Sequence, residues 1–449
     1  MTRCSDSGEN CTENPDRNQK KRKKGGKHVS FPPDEQIVSG FAEDAGRTDD
    51  RCVTLMDVIG AYQQSCSKHQ VQPRESILQQ LQQGVCGGGS VECLDLKGER
   101  LDHRSCEALE VVLKSLHFDF INLQAAQLEE NGASSLLDMI LYYESTTYLD
   151  ISDNGSMGTS SWRALAHLIK QSVCLSRLDA CNVCLVGYPV QSLSKALLTS
   201  RLRVLHLNNA QLSGSSLFTL VRALKTNRAL LELHLSSNQL NGYQDAMQLG
   251  ELLRYNNTLQ TLELSDNVLG DPGLEELCDG LSRQTKGLKV LILKNNQITE
   301  RGMNHLAKTL PGLKILEVLD LGDNHLGNEG IQVIREPLMV NSSLLHLGLA
   351  QSNITCEGAV ALAEFLAESR LIQRLDLHQN RVKLGGLMAL SLALRINCSL
   401  SHLGVDPIPP QELDEFLTET QKRLQAEITQ RCNANASRLQ RDASEMNME

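Results

Sequence analysis

One phrase returns twelve times along this chain. Its leading residues are Leu94, Ile121, Leu149, Leu178, Leu205, Leu233, Leu262, Leu291, Leu319, Leu347, Leu375 and Leu403, and the steps between them run from 27 to 29 residues. A period of this kind restricts the fold more than any other property of the sequence. Each unit must be a small strand-and-helix element that hides its apolar side against the next, so stacking supplies the core. Composition agrees with stacked aliphatic layers: hydrophobic residues make up 41 % of the chain but aromatic ones only 3 %.

Within each unit the alternation L-x-L reads as a short strand with one buried face. An apolar residue three positions earlier completes the layer, as at Leu175, Leu202, Leu230, Leu259, Leu288, Leu316, Leu344, Ile372 and Leu400. An asparagine follows in the turn of six units: Asn154, Asn238, Asn267, Asn296, Asn324 and Asn380. A buried turn must pair its backbone groups, and an amide side chain offers both a donor and an acceptor. The second half of each unit, as in EGAVALAEFLAESRLI, spaces apolar residues by three and four and predicts a helix. The pattern L-x-x-L-x-L-x-x-N-x-L is that of leucine-rich repeats. Repeats of this length resemble the ribonuclease-inhibitor class, which implies an α/β solenoid with parallel strands inside and helices outside. Val183 and Ala210 stand where asparagine is expected and predict local irregularity.

About twelve repeats are assigned to residues 91–406, with helical caps at 51–90 and 407–431 and disordered tails at 1–50 and 432–449. In the first cap Leu55, Val58, Ile59 and Tyr62 share a helical face, and Thr54 with Asp57 has the spacing of a capping box. A second helix is expected from Pro73. In the last cap Leu413, Phe416, Leu417, Leu424 and Ile428 form the covering stripe.

A formal charge of −10 argues against nucleic acid as a ligand. No apolar run approaches the roughly 20 residues of a membrane span, and the N-terminus shows no signal region. The expected setting is intracellular, cytoplasmic or nuclear, with the 14 cysteines reduced. Asn-x-Ser/Thr triplets at Asn256 and Asn397 are read as incidental. No nucleophile elbow, phosphate loop or zinc-protease motif occurs, so no catalytic residue, cofactor or metal is assigned. Cys181 and Cys184 form the one Cys-x-x-Cys, without the second pair that a structural zinc site needs. His206 and His234 are expected to be exposed ladder residues.

Function is signalled by KKRKKGGKHVSFPPDEQIVSG near the N-terminus. Lys27-His28-Val29-Ser30-Phe31 fits the basic–x–Val–x–Phe motif by which regulatory subunits dock on protein phosphatase 1. Such a segment adds to a sheet edge, and Val29 and Phe31, two apart, point the same way from a strand. Ile37 and Val38 supply a second apolar foothold, and Lys21, Arg22, Lys23 and Lys24 steer the segment towards an acidic groove. The same basic run also fits a nuclear localisation signal. Phosphate on Ser30 would add nearly two charges to a segment meant for apolar pockets.

With DVIGAYQQSC, CLDLKGERLD, CEGAVALAEFLAES, GGLMALSLALRIN and ETQKRLQAEI, the sequence resembles the leucine-rich-repeat regulatory subunits of protein phosphatase 1 over residues 27 to 431. The resemblance implies a non-catalytic protein that binds and restrains the phosphatase catalytic subunit, docked through Lys27, Val29 and Phe31 with Ile37 and Val38 in support. Arg47 matches an arginine found in related docking segments, but no aromatic residue follows it. The residue between the strand leucines is acidic at Asp95, Asp150, Asp179, Glu263, Asp320 and Asp376. This reads either as a negative strip for a second protein on the concave face or as a solvated ladder. The rival overall reading is a general leucine-rich scaffold, or an inhibitor of another partner.

Overall fold

Each L-x-L stretch forms a strand, in a computed structural model that describes residues 55–83, 90–284, 286–407 and 415–446. The strands are β1 (Ser90–Asp95), β2 (His117–Asn122), β3 (Thr146–Asp150), β4 (Arg177–Asp179), β5 (Val204–His206) and β6 (Glu232–His234). They continue as β7 (Thr261–Glu263), β8 (Val290–Ile292), β9 (Val318–Asp320), β10 (His346–Gly348), β11 (Arg374–Asp376) and β12 (His402–Gly404). All pair in parallel, in chain order, as one sheet. Between successive strands the chain returns through helical segments, so this is the expected α/β solenoid.

The repeat's leading residues stack across the sheet in a single register and are buried from Leu94 to Leu375. Leu403, on edge strand β12, is only partly covered. Helices stack on the other side of this layer, and glycine lets them approach. Gly330, Gly358 and Gly386 recur at the period of the repeat, each near its helix start. A Cβ there would come 3.1 Å from Met303 Cγ, 2.8 Å from Asn328 Oδ1 and 3.0 Å from Ala359 Cβ of the preceding helix respectively.

The turn asparagines do the work expected of them. Asn324 Nδ2 donates to the carbonyls of Leu293, Leu321 and Gly322, while its Oδ1 accepts from the N–H groups of Asn296 and Ile298. One buried side chain thus joins two coils. The irregularity expected at Val183 and Ala210 is absent, because both side chains are buried and β3 to β6 pair without a break. Asn238 Oδ1 serves the Ala210 and Leu212 N–H groups from the following repeat. The sheet is uneven elsewhere: β1 to β3 run five or six residues, whereas β4 to β12 have three.

A second asparagine row, at the far end of the helices, was not read from the sequence. Asn227, Asn256, Asn341 and Asn397 each donate Nδ2 to a carbonyl of the preceding coil and accept at Oδ1 from the N–H groups two and three residues on. The Asn-x-Ser/Thr triplets at Asn256 and Asn397 are therefore by-products of this turn, and both amides are buried.

Both ends are covered by helices. Leu55–His69 buries Val58, Ile59, Tyr62 and Cys66, and Glu75–Gln83 buries Ile77 and Leu81. The second of these starts at Glu75, two residues past the expected Pro73, and Thr54 lies outside the described residues. Gln80 closes the edge of β1, its amide donating to the Asp95 carbonyl at 2.8 Å and accepting from the Asp95 N–H at 2.7 Å. An unpaired strand edge would otherwise template association.

At the other end the helix Glu415–Met446 corrects two expectations. It carries on through residues assigned to a tail after 431, because Cys432 and Asn435 are buried. Asn435 Nδ2 donates to the carbonyls of Asn397 and Leu400 at 3.3 and 2.9 Å, continuing the second asparagine row from outside the repeats. Leu424 and Ile428 cover the last coil as expected, but Phe416 is 76 % exposed.

Candidate functional site

The docking residues Lys27, Val29, Phe31, Ile37 and Val38, with Ser30, lie outside the described residues. The described candidate is the face of the sheet turned away from the helices. Two side chains per strand reach it, one before and one after the buried leucine.

The six acidic residues share one register row: Asp95, Asn122, Asp150, Asp179, His206, His234, Glu263, Ile292, Asp320, Gly348, Asp376, Gly404. The row is interrupted, so it is no continuous strip. Five of the six have a local task as well. One carboxylate oxygen accepts the N–H two residues ahead: Asp95 from Lys97 at 3.1 Å, Asp150 from Ser152 at 2.8 Å, Glu263 from Ser265 at 2.9 Å, and Asp320 and Asp376 from Gly322 and His378 at 3.0 Å. This is turn chemistry that short carboxylates supply readily. Burial pushes the carboxyls of Asp150 and Asp320 above the usual range, against these hydrogen bonds.

Asp179 behaves differently. It accepts from Arg177 Nε at 3.0 Å and Nη2 at 2.8 Å, from the Tyr148 hydroxyl at 2.8 Å, and faces His206 Nδ1 at 3.4 Å. Burial opposes its charge, yet the bonds from His206, Arg177 and Tyr148 win and hold it well below the carboxylate range. The Arg177 guanidinium lies 4.3 Å from the Tyr148 ring centre, and Phe120 stacks on that ring at 4.1 Å with 13° between planes. On the other side the His206 and His234 rings sit 4.0 Å apart. Burial, then His206, lowers the His234 pKa to about 4. The two histidines are thus half-buried members of a stacked network and not exposed ladder residues. Phe120, Tyr148 and Arg177 occupy the position before the leucine, where no sequence motif drew attention.

Among the described residues no group of histidine, cysteine and carboxylate side chains could hold a metal ion. Cys181 has its thiol pKa raised, first by burial, and the exposed Cys184 directs its thiol at Gln211 Oε1, 3.3 Å away. No described helix is long and apolar enough to cross a membrane.

A family model described as leucine-rich repeat matches residues 255–278 and 314–334. Protein phosphatase 1 regulatory subunit 37 of Bos taurus is 49 % identical over 294 residues, 65 % of this chain and 42 % of that protein. The chain spans about two-fifths of the length of these relatives. Ribonuclease inhibitor of Sus scrofa is 28 % identical over 49 % of this chain and 55 % of its own length. The crystal structure of an internalin from Listeria monocytogenes covers 69 % of this chain and 86 % of its own, at 17 % identity and a TM-score of 0.42. The chain folds as a leucine-rich-repeat solenoid, and its sequence is similar to protein phosphatase 1 regulatory subunit 37 of several vertebrates.

Proposed function

We propose that this chain is a non-catalytic regulator of protein phosphatase 1, carried by a short N-terminal docking segment and a leucine-rich-repeat solenoid. The observation that supports it is the 49 % identity to proteins named as regulatory subunit 37 of that phosphatase. Lys27, Val29 and Phe31 dock, and Ile37 and Val38 add a second apolar contact. Burying two apolar side chains contributes about 1.5–3 kcal/mol each, less the cost of ordering the segment. Tethering then raises the local concentration of the solenoid beside the catalytic subunit. The solenoid inhibits by shielding substrates or by competing with other regulators. Phosphate on Ser30 weakens docking through charge placed between two apolar pockets. The sheet face serves as a second protein-binding surface.

The test is co-purification of the phosphatase catalytic subunit with the full chain and with a Val29→Ala, Phe31→Ala double variant. Loss of at least about tenfold in the double variant is expected, from two buried side chains. Equal recovery would leave a leucine-rich scaffold of another purpose.

A further inference from the structure

Charge is spread unevenly over the helix side of the solenoid. Residues 154–231 hold nine lysines and arginines and a single carboxylate, Asp179, in a chain whose formal charge is −10. Asp179 is buried and gripped on the sheet face, away from the helices. Three successive helices, Thr159–Gln171, Tyr188–Leu197 and Ser215–Leu224, contain no acidic residue, and Arg163, Lys170, Lys195 and Arg222 are exposed on them. A hydrogen bond from Arg163 draws the Tyr188 phenol below its ordinary value, and the charges of Arg163 and Lys195 act the same way. Among the described residues Lys195 and Arg222 have no carboxylate partner, whereas Lys225 pairs with Glu251 at 2.9 Å and Arg254 with Asp279 at 3.0 Å.

Between the last two of these helices lies a groove of about 530 Å³. It runs from Gln191 to Leu198 along one side and from Thr219 to Thr226 along the other, about 10 Å by helical rise, or three residues of extended chain. Neither helix contains glycine. The pair that follows, Gln244–Tyr255 and Gly270–Ser282, closes through Gly250 and Gly280, where a Cβ on Gly280 would fall on the Gly250 carbonyl. The groove is left where that close approach is missing. Half-exposed Leu198, Ala223 and the aliphatic stems of Lys195 and Arg222 give it apolar walls below two cationic heads. Ser194, only 5 % exposed, also lines it, and its hydroxyl has no hydrogen-bond partner. A buried hydroxyl left unpaired is costly, so the wall holds an unmet polar group.

We infer that this groove seats a short acidic segment of a partner protein, with an apolar side chain between Leu198 and Ala223 and carboxylates on Lys195 and Arg222. The seat lies on the opposite side from the sheet face and makes no use of the phosphatase reading. Two cations over an apolar slot suit a side chain flanked by carboxylates. A phosphate backbone would instead engage the whole run of cations and leave the slot unused.

The probe is Gly-Glu-Leu-Glu-Gly amide, titrated into the full chain at low salt while the methyl signals of Leu198 and Ala223 are followed by NMR, beside a Gly-Gln-Leu-Gln-Gly counterpart. Both signals are expected to move, and the glutamate peptide to bind about tenfold more tightly than the glutamine peptide. Lys195→Gln with Arg222→Gln should remove most of that difference. Lys308→Gln with Lys314→Gln, which removes two exposed cations elsewhere, should change affinity less than about twofold. All four positions are exposed, and circular dichroism confirms that both double variants fold. Equal affinity of the two peptides, shifts confined to other methyl groups, or no binding would overturn the seat. Tighter binding of a short oligothymidylate, lost in the Lys195 and Arg222 double variant, would overturn it as well, since the surface would then be a nucleic-acid site.

Discussion

Strands β3 to β6 and β9 to β12 carry the same repeat, yet their open faces are opposites. The first group holds a network in which Asp179 is bonded by three neighbours and the His206 and His234 rings meet at 45° with centres 4.0 Å apart. The second alternates aspartate with glycine, Asp320, Gly348, Asp376 and Gly404 along one row. There a Cβ on Gly348 would fall on the Asp320 carboxylate, and one on Gly404 on the His378 ring. The Asp320 carboxylate leans over bare glycine backbone, where that of Asp179 is gripped by the side chains of Tyr148, Arg177 and His206. The buried leucine and turn asparagine are dictated by stacking, and the open face is left to vary. Any function of the sheet is therefore local to a few strands.

If that division is right, the largest losses of stability come from the stacked turn and do not depend on which half is struck. Asn324→Ala strands the N–H groups of Asn296 and Ile298 and three carbonyls, and is expected to cost about 3–5 kcal/mol in urea denaturation. Asn296, whose Oδ1 has no partner, should cost about 1 kcal/mol less when cut back to alanine. Equal losses would mean that the acceptor half of the amide contributes nothing. The halves themselves are separated by Asp179→Asn and Asp376→Asn. The first breaks a carboxylate with side-chain exposure of 10 %, leaving Arg177 without its fork, and should cost about 2 kcal/mol. The second, paired with a half-exposed His378, should cost less than about 0.5 kcal/mol. Similar values for the two would erase the distinction.

Stacking was legible in the sequence because it repeats: a residue that must meet its own copy every 28 or so positions leaves a period. The strands, the helices and the turn asparagines were all visible in that way. The open face was legible only as composition. Six acidic residues could be placed on one row, but nothing in the string says that Asp179 faces Tyr148 from the next strand, or that His206 leans on His234. Such contacts join residues about 28 positions apart through side-chain directions that no period records. The second asparagine row was missed for a different reason. At the helix ends asparagine alternates with Gln284 and Ser369, which fill the turn by the same kind of bond. The continuation of the last helix past 431 rests on Cys432 and Asn435, too sparse a pair to read as an apolar stripe.

Acid separates the halves next. His234 has its pKa lowered to about 4 from an ordinary 6.5, by burial and by His206, with Arg177 acting the same way and Asp179 opposing. The unfolded chain takes this proton first as pH falls, so the contribution is intact above about 6.5 and is lost between there and 4. Allowing for solvent at a half-buried ring, the loss is about 1–2 kcal/mol. His234→Gln should flatten stability across that window. A slope unchanged in His234→Gln would show that another group carries the acid sensitivity.

A small effect is expected at Gly348 as well. Its φ is ordinary, so alanine is not strained by backbone conformation, and the obstacle is the Asp320 carboxylate leaning over the glycine. That carboxylate is the free end of a side chain and can swing outward, breaking at most its bond from the Gly322 N–H. Reduced freedom of the unfolded chain returns about 0.4–1 kcal/mol, so Gly348→Ala should lie within about 1 kcal/mol of the parent. Asp320 should report the change more clearly than stability does. Burial now raises its pKa, and a carboxylate moved into solvent should titrate closer to the ordinary value when followed by NMR. A loss above about 2 kcal/mol with no movement of that titration would mean that Asp320 is held as firmly as Asp179. The two halves of the sheet would then differ in their partners and not in their freedom.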